Sequence, residues 1–298
     1  MSNALRLDLI RIIGIVLEGL FYGIFLTLLY DLTVILVERA KERRRGIFRQ
    51  PTFPTSLSLL VVITGHLVCS TIEVSTAFVL PRDVSYCLQP GDTTPAEKYF
   101  LAVHNPFNIS SAAFFIATLL IGEWFLIYRL YFVWERNIYV TIPSGLLSLG
   151  VLACGISVTY LFSQDAPVFK DNRLITPTWS LTLASNLYST AMISFKLIFF
   201  GPCNHVIGIR KTVLEVLVQS AAILSLLGVF LMAFILSKSN MVYITTSLTA
   251  PVVGINFCLI VIRTHSRKPD VYLIESVGEG IEFTAETATL PTANHLVV

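Results

Sequence analysis

Apolar residues along this chain collect into seven long runs, separated by short polar connections, at residues 12–37, 55–80, 108–133, 139–162, 179–200, 213–236 and 243–262. A helix rises 1.5 Å per residue and the hydrocarbon core of a bilayer is about 30 Å thick, so roughly 20 mostly apolar residues make one crossing. All seven runs reach that length. The pattern predicts an all-α membrane protein, a seven-transmembrane-helix bundle over residues 12–263, with a short leader at 1–11 and a polar tail at 264–298.

Composition agrees with the pattern. With 54 % hydrophobic and 13 % charged residues over 298 positions, a water-soluble fold would expose too much apolar surface, whereas lipid accepts it. The net charge of +2 averages a basic loop and an acidic tail, and no aromatic-basic patch points to nucleic acid. Orientation is read from Lys and Arg, which gather on cytoplasmic connections. Twelve fall on the side of the odd-numbered connections and the tail, including Arg39, Lys41, Arg43, Arg44 and Arg45, against seven on the other side. The N-terminus is therefore expected outside and the C-terminus in the cytoplasm, most simply in the plasma membrane. Arg129 and Lys196 lie inside runs near their predicted inner ends.

The first run is too long for a signal-peptide core and is expected to stay as an anchor, with no lipidation motif to assist it. Cys69, Cys154 and Cys258 fall inside runs, Cys203 on the inner side and Cys87 alone on the outer side, so no disulfide framework is expected. Asn108-Ile-Ser110 is the one glycosylation triplet, too close to the membrane for a transferase. Trp134, Tyr139, Trp179 and Tyr243 flank the runs and read as interfacial anchors. Residues 81–107, with five Pro or Gly, read as an irregular outer loop or lid, and the basic stretch 38–50 as a contact for anionic lipid or a coupling partner. Beyond residue 262 the hydropathy collapses and the tail is expected to be largely disordered. Gly19 and Gly23 share a helix face and are expected to pack within the bundle, and Pro251 predicts a kink in the last helix.

The remaining chemistry lies in ionisable residues within the runs, each of which costs at least about 2.5–3.5 kcal/mol in hydrocarbon and so is expected to face protein or water. Glu18 and Glu73 both lie roughly 10 Å below the outer boundary and form a candidate acidic ligand pocket, the alternative being that each carboxylate separately caps a polar helix contact. His66 and Glu123 lie near the bilayer centre, with Asn256 somewhat deeper; the three form a candidate polar cluster that serves as a structural core, a proton relay or a switch. Arg129 and Glu215, at similar depth near the inner face, form a candidate ionic clasp, the alternatives being Arg129 at the headgroups and Glu215 paired with Lys211. His104, His205, His265 and His295 lie outside the runs, which argues against a multi-His metal site and a membrane-embedded hydrolase.

Four segments carry a family resemblance: Glu18-Gly-Leu-Phe-Tyr-Gly23, Glu123-Trp-Phe-Leu-Ile-Tyr-Arg-Leu-Tyr-Phe-Val-Trp134, Leu214-Glu-Val-Leu-Val-Gln-Ser220 and Val253-Gly-Ile-Asn-Phe-Cys-Leu-Ile-Val-Ile-Arg263. In these the bundle resembles the expanded seven-helix integral membrane proteins of mushroom-forming (basidiomycete) fungi, which are receptor-like in outline and have no established ligand. Members look to have Asp where Glu123 stands and Glu where Gln219 stands. The Asp-Arg-Tyr and Asn-Pro-x-x-Tyr marks of rhodopsin-like receptors are absent, and the seventh run holds no Lys for a retinal Schiff base. The expected function is non-enzymatic and needs no cofactor: a receptor-like protein sensing a small molecule from outside, with a cytoplasmic GTP-binding protein as candidate partner. The alternative is a proton-coupled transporter or small-molecule carrier, weakened by the lack of an inverted repeat between the halves.

Overall fold

Long apolar runs satisfy their own backbone only as helices once water is excluded, and every described segment of this length is one. The computed structural model describes residues 7–42, 52–79, 100, 105–163, 172–199 and 207–265, without the side chains of 42, 162, 172–174, 207–217 and 264–265. Among the described residues there are seven helices and no strand: α1 Leu7–Glu42, α2 Thr52–Val79, α3 Pro106–Val133, α4 Ile138–Ser163, α5 Asn172–Phe199, α6 Ile207–Leu236 and α7 Val242–His265. Six of them are long and apolar enough to cross a membrane, which points to an integral membrane protein. The exception, α5, has the length at 28 residues but carries too many Ser, Thr and Asn. Most of the expected outer loop and basic inner loop, the tail, Cys87, Cys203 and the Glu215 side chain lie outside the described residues.

Local chemistry sets the helix ends. Pro106 occupies the first turn of α3, where a missing N–H costs nothing, after Asn105 in an extended conformation. At the other end Glu135 and Arg136 turn left-handed, with φ of 52° and 66°, and the Arg136 N–H bonds back to Tyr131 O at 2.9 Å. That turn sends the chain directly into α4. Lys238, at φ 52°, does the same between α6 and α7. Within the helices, hydroxyls such as Thr33, Thr64, Thr118 and Thr249 donate to the carbonyl four residues earlier, which satisfies them without water.

Each helix packs on its neighbours in sequence and α7 closes the ring on α1; α3 additionally meets α5 and α7, and α7 meets α2. This makes α7 the central post. In its most apolar stretch 67 % of residues are buried inside the protein, against 22 % for α1. Gly254 permits the close fit, because a Cβ there would stand 2.7 Å from both Phe25 and Ile63, and Gly122 does the same for α3, where a Cβ would stand 2.8 Å from Val253. Pro251 lies inside α7 between its ends. Gly19 and Gly23 correct an expectation: they are exposed, with nothing within 4 Å of a built Cβ, so their face of α1 looks out of the bundle rather than into it.

The polarity of the molecule is inverted relative to a water-soluble domain. Val16, Leu20, Tyr30, Leu146 and Phe199 are exposed, while Glu18, His66, Glu73, Glu123, Asn186 and Asn256 are buried. Hydroxyl pairs bind the helices across the interior: Tyr22 to Thr64 at 2.8 Å, Ser70 to Ser111 at 3.0 Å and Ser144 to Ser189 at 2.8 Å. The Ser144 to Ser189 pair shows how α5 tolerates polar residues: Thr178, Ser185, Asn186 and Ser189 are buried inside the bundle rather than on the apolar rim.

Candidate functional site

Helix α1 begins at Leu7, five residues before its apolar run, and this brings Arg11 into the bundle. Its Nη1 lies 3.4 Å from Oε2 of Glu73 on α2, and its guanidinium carbon lies 4.2 Å from the Tyr243 ring centre and 5.3 Å from that of Phe100. Two turns of α2 deeper, Nδ1 of His66 lies 2.6 Å from Oε1 of Glu18 in a fully buried pair. Both acids are therefore engaged by a base. The expected grouping of Glu18 with Glu73 in one acidic pocket gives way to two acid–base pairs, because a basic side chain facing a buried carboxyl satisfies it where a second carboxylate would add repulsion.

These pairs border a cavity of about 150 Å³ at the upper end of the bundle, where α1 begins. Arg11, His66, the Ser70 and Ser111 pair, Phe115 and Trp179 line it, and Asn108, Tyr243 and Thr246 close it from α3 and α7. Trp179 was expected at a membrane interface; α5 starts two turns earlier, so its ring is buried and packs 5.6 Å from Phe115. The described thiols Cys69, Cys154 and Cys258 are free.

A second cavity, of about 70 Å³, lies deeper, between α3, α5, α6 and α7. Glu123 and Asn256 line it together with Thr182 and Asn186, whereas His66 lines the upper one. The expected cluster of His66, Glu123 and Asn256 is thus divided by Leu119 and Trp179, which line both cavities. Asn256 donates from Nδ2 to Ser220 O at 3.2 Å. The hydroxyls of Ser148 and Thr182 come up beside the Glu123 carboxyl, yet neither they nor its two oxygens complete a hydrogen bond of good geometry.

At the lower end Arg129 stacks over Phe125 at 5.3 Å; its expected clasp partner Glu215 has no described side chain. Lys196 of α5 reaches the turn between α3 and α4, 3.2 Å from Glu135 and 5.5 Å from the Trp134 ring centre, while Trp134 donates to Met192 O at 3.2 Å. Trp134 is thus tied into the bundle, and Tyr139 stays 84 % exposed as an interfacial anchor requires.

Sequence reasoning missed Arg11, Trp179, Thr182 and Asn186 as lining residues. The first was counted only as a flanking charge. The signal for the last two was present in the low apolarity of α5, a helix that must hide polar groups inside to sit among apolar neighbours. Among family models, characterised proteins and solved structures, none matches this chain.

Proposed function

We propose that this protein is a non-enzymatic, receptor-like membrane protein that crosses the bilayer seven times, with its N-terminus outside and its C-terminus in the cytoplasm. In this reading α5 is the seventh span, with Ser185 and Ser189 turned toward Ser144 of α4 and Thr182 and Asn186 toward the lower cavity. The excess of Lys and Arg on the connections opposite the start of α1 supports the orientation. The plasma membrane, with its outer face in contact with the medium, is the setting that fits a sensor. The resemblance to the seven-helix proteins of mushroom-forming fungi belongs to the same proposal.

The observation that carries it is the upper cavity. A site of about 150 Å³ is the size that holds one benzene-like guest when lined by apolar groups. Here Phe115 and Trp179 supply the apolar wall, and Arg11, Ser70, Ser111 and Asn108 supply polar groups that fix orientation. The ligand class is therefore a small, largely apolar or aromatic molecule with a hydrogen-bond acceptor. Tyr243 and Thr246 contribute to that cavity from α7, which also packs on α1, α2, α3 and α6, so a guest that shifts α7 shifts the ring. The basic cytoplasmic face then reports the change to a GTP-binding protein.

A second reading, a proton-coupled carrier, rests on one feature: ionisable groups stand at successive depths, from Arg11 and Glu73 through Glu18 and His66 to Glu123, with Leu119 and Trp179 between the cavities. One reconstitution separates the two. In liposomes, a small aromatic acid or alcohol should raise Tm and promote nucleotide exchange on an added GTP-binding protein, and Thr246→Leu, which fills the cavity, should abolish both. Solute or proton flux without exchange decides for the carrier.

A further inference from the structure

Helices α3, α5, α6 and α7 place side-chain oxygen atoms around the lower cavity, and one group among them is the carboxyl of Glu123. Glu123 is 5 % exposed and neither of its oxygens has a hydrogen-bond partner. Among the described residues lining that cavity there is no Lys, Arg or His. The nearest cation along α3, Arg129, lies six residues on and stacks over Phe125 instead. In the upper half every buried acid meets a base, so this charge stands apart from the rule the rest of the bundle follows.

What surrounds it is a set of hard oxygen donors. The Ser148 and Thr182 hydroxyls flank the carboxyl, both lacking hydrogen-bond partners. Asn186 and Asn256 line the same space. Because Asn256 commits its Nδ2 to Ser220 O, its Oδ1 is the end left to accept. The cavity of about 70 Å³ has room for an ion and a water, far more than a proton needs.

We propose that Glu123 anchors a monovalent alkali cation in the lower cavity, with Thr182, Asn186 and Asn256 of its lining and Ser148 beside the carboxyl as the neutral oxygen donors. One carboxylate balances one positive charge. Among the described residues no three His, Cys, Asp or Glu stand together, so the site lacks the carboxylates that hold a hard divalent ion. Such a cation would bridge α3, α4, α5 and α7 at a level below the upper cavity, and this holds whether the protein is a receptor or a carrier.

The test is thermal unfolding of the purified full chain in nanodiscs, titrated with NaCl or KCl against N-methylglucamine chloride at constant ionic strength and pH. Binding to the folded state alone raises Tm by roughly 2–4 °C per tenfold increase in cation above its Kd, and the rise should disappear in Glu123→Gln. Thr182→Val and Ser148→Ala, which keep the carboxylate, should shift the titration to several-fold higher cation. They also serve if Glu123→Gln does not accumulate. Three results would overturn the proposal: wild-type Tm indifferent to Na⁺ and K⁺, a cation response undiminished in all three variants, or a response to pH alone that Glu123→Gln removes.

Discussion

The two halves of the bundle treat buried acids in opposite ways. In the upper half Glu18 meets His66 at 2.6 Å and Glu73 meets Arg11 at 3.4 Å, so each carboxyl faces a base of the protein itself. In the lower half Glu123 is as deeply buried, but what stands beside it is neutral. The contrast separates acids paired with a base within the bundle from one that has none beside it. In hydrocarbon no solvent screens the difference, and a carboxyl without a base beside it is neutralised either by a proton or by a bound cation.

The largest effect is expected where a matched pair is broken. His66→Leu leaves Glu18 buried without its base and should cost about 3–5 kcal/mol, read as a lost or sharply lowered Tm. The double variant Glu18→Leu with His66→Leu should recover most of that loss, since a pair replaced by apolar groups leaves no charge behind. If the double variant is as unstable as the single, matching is not what the pair provides. Next comes Gly254→Ala, about 1–3 kcal/mol, because the added methyl meets Phe25 and Ile63, both fully buried. Gly23→Ala on the outward face of α1 should instead be neutral or gain up to about 1 kcal/mol of helix propensity. Equal costs at the two glycines would contradict the central position of α7.

Arg11→Gln ranks third. It leaves Glu73 without a base, but the contact is long at 3.4 Å and Arg11 is 16 % exposed, so a loss of about 1–2 kcal/mol is expected. The smallest effect belongs to the lower half: with neither Na⁺ nor K⁺ present, Glu123→Gln should change stability by less than about 1 kcal/mol, or raise it, because no protein partner is lost. A drop comparable to that of His66→Leu would show Glu123 to be matched after all, and the difference between the halves would vanish.

The helices were legible from hydropathy, since length and apolarity depend only on neighbours along the chain. Their ends were less so. Apolar runs begin at residues 12 and 179, while the helices begin at Leu7 and Asn172, because a helix continues past the hydrocarbon for as long as its backbone can hydrogen-bond. Those few extra residues carry Arg11 into the site and bury Trp179. The site was legible by residue type and only partly by grouping: depth brought Glu18 together with Glu73 and His66 with Glu123, but depth says nothing about the direction a side chain takes from its helix.

By itself the sequence determined that this is a helical protein built for a membrane and which rare polar groups need company, because both follow from composition and the rise of a helix. Only the tertiary structure decided who keeps company with whom. Rotation about each helix axis, set by close fits such as Gly254 against Phe25 and Ile63, turns Glu18 to His66, Glu73 to Arg11 and Glu123 to the Ser148 and Thr182 hydroxyls. Rotations of that kind are fixed by packing between distant segments, which no local pattern of residues encodes.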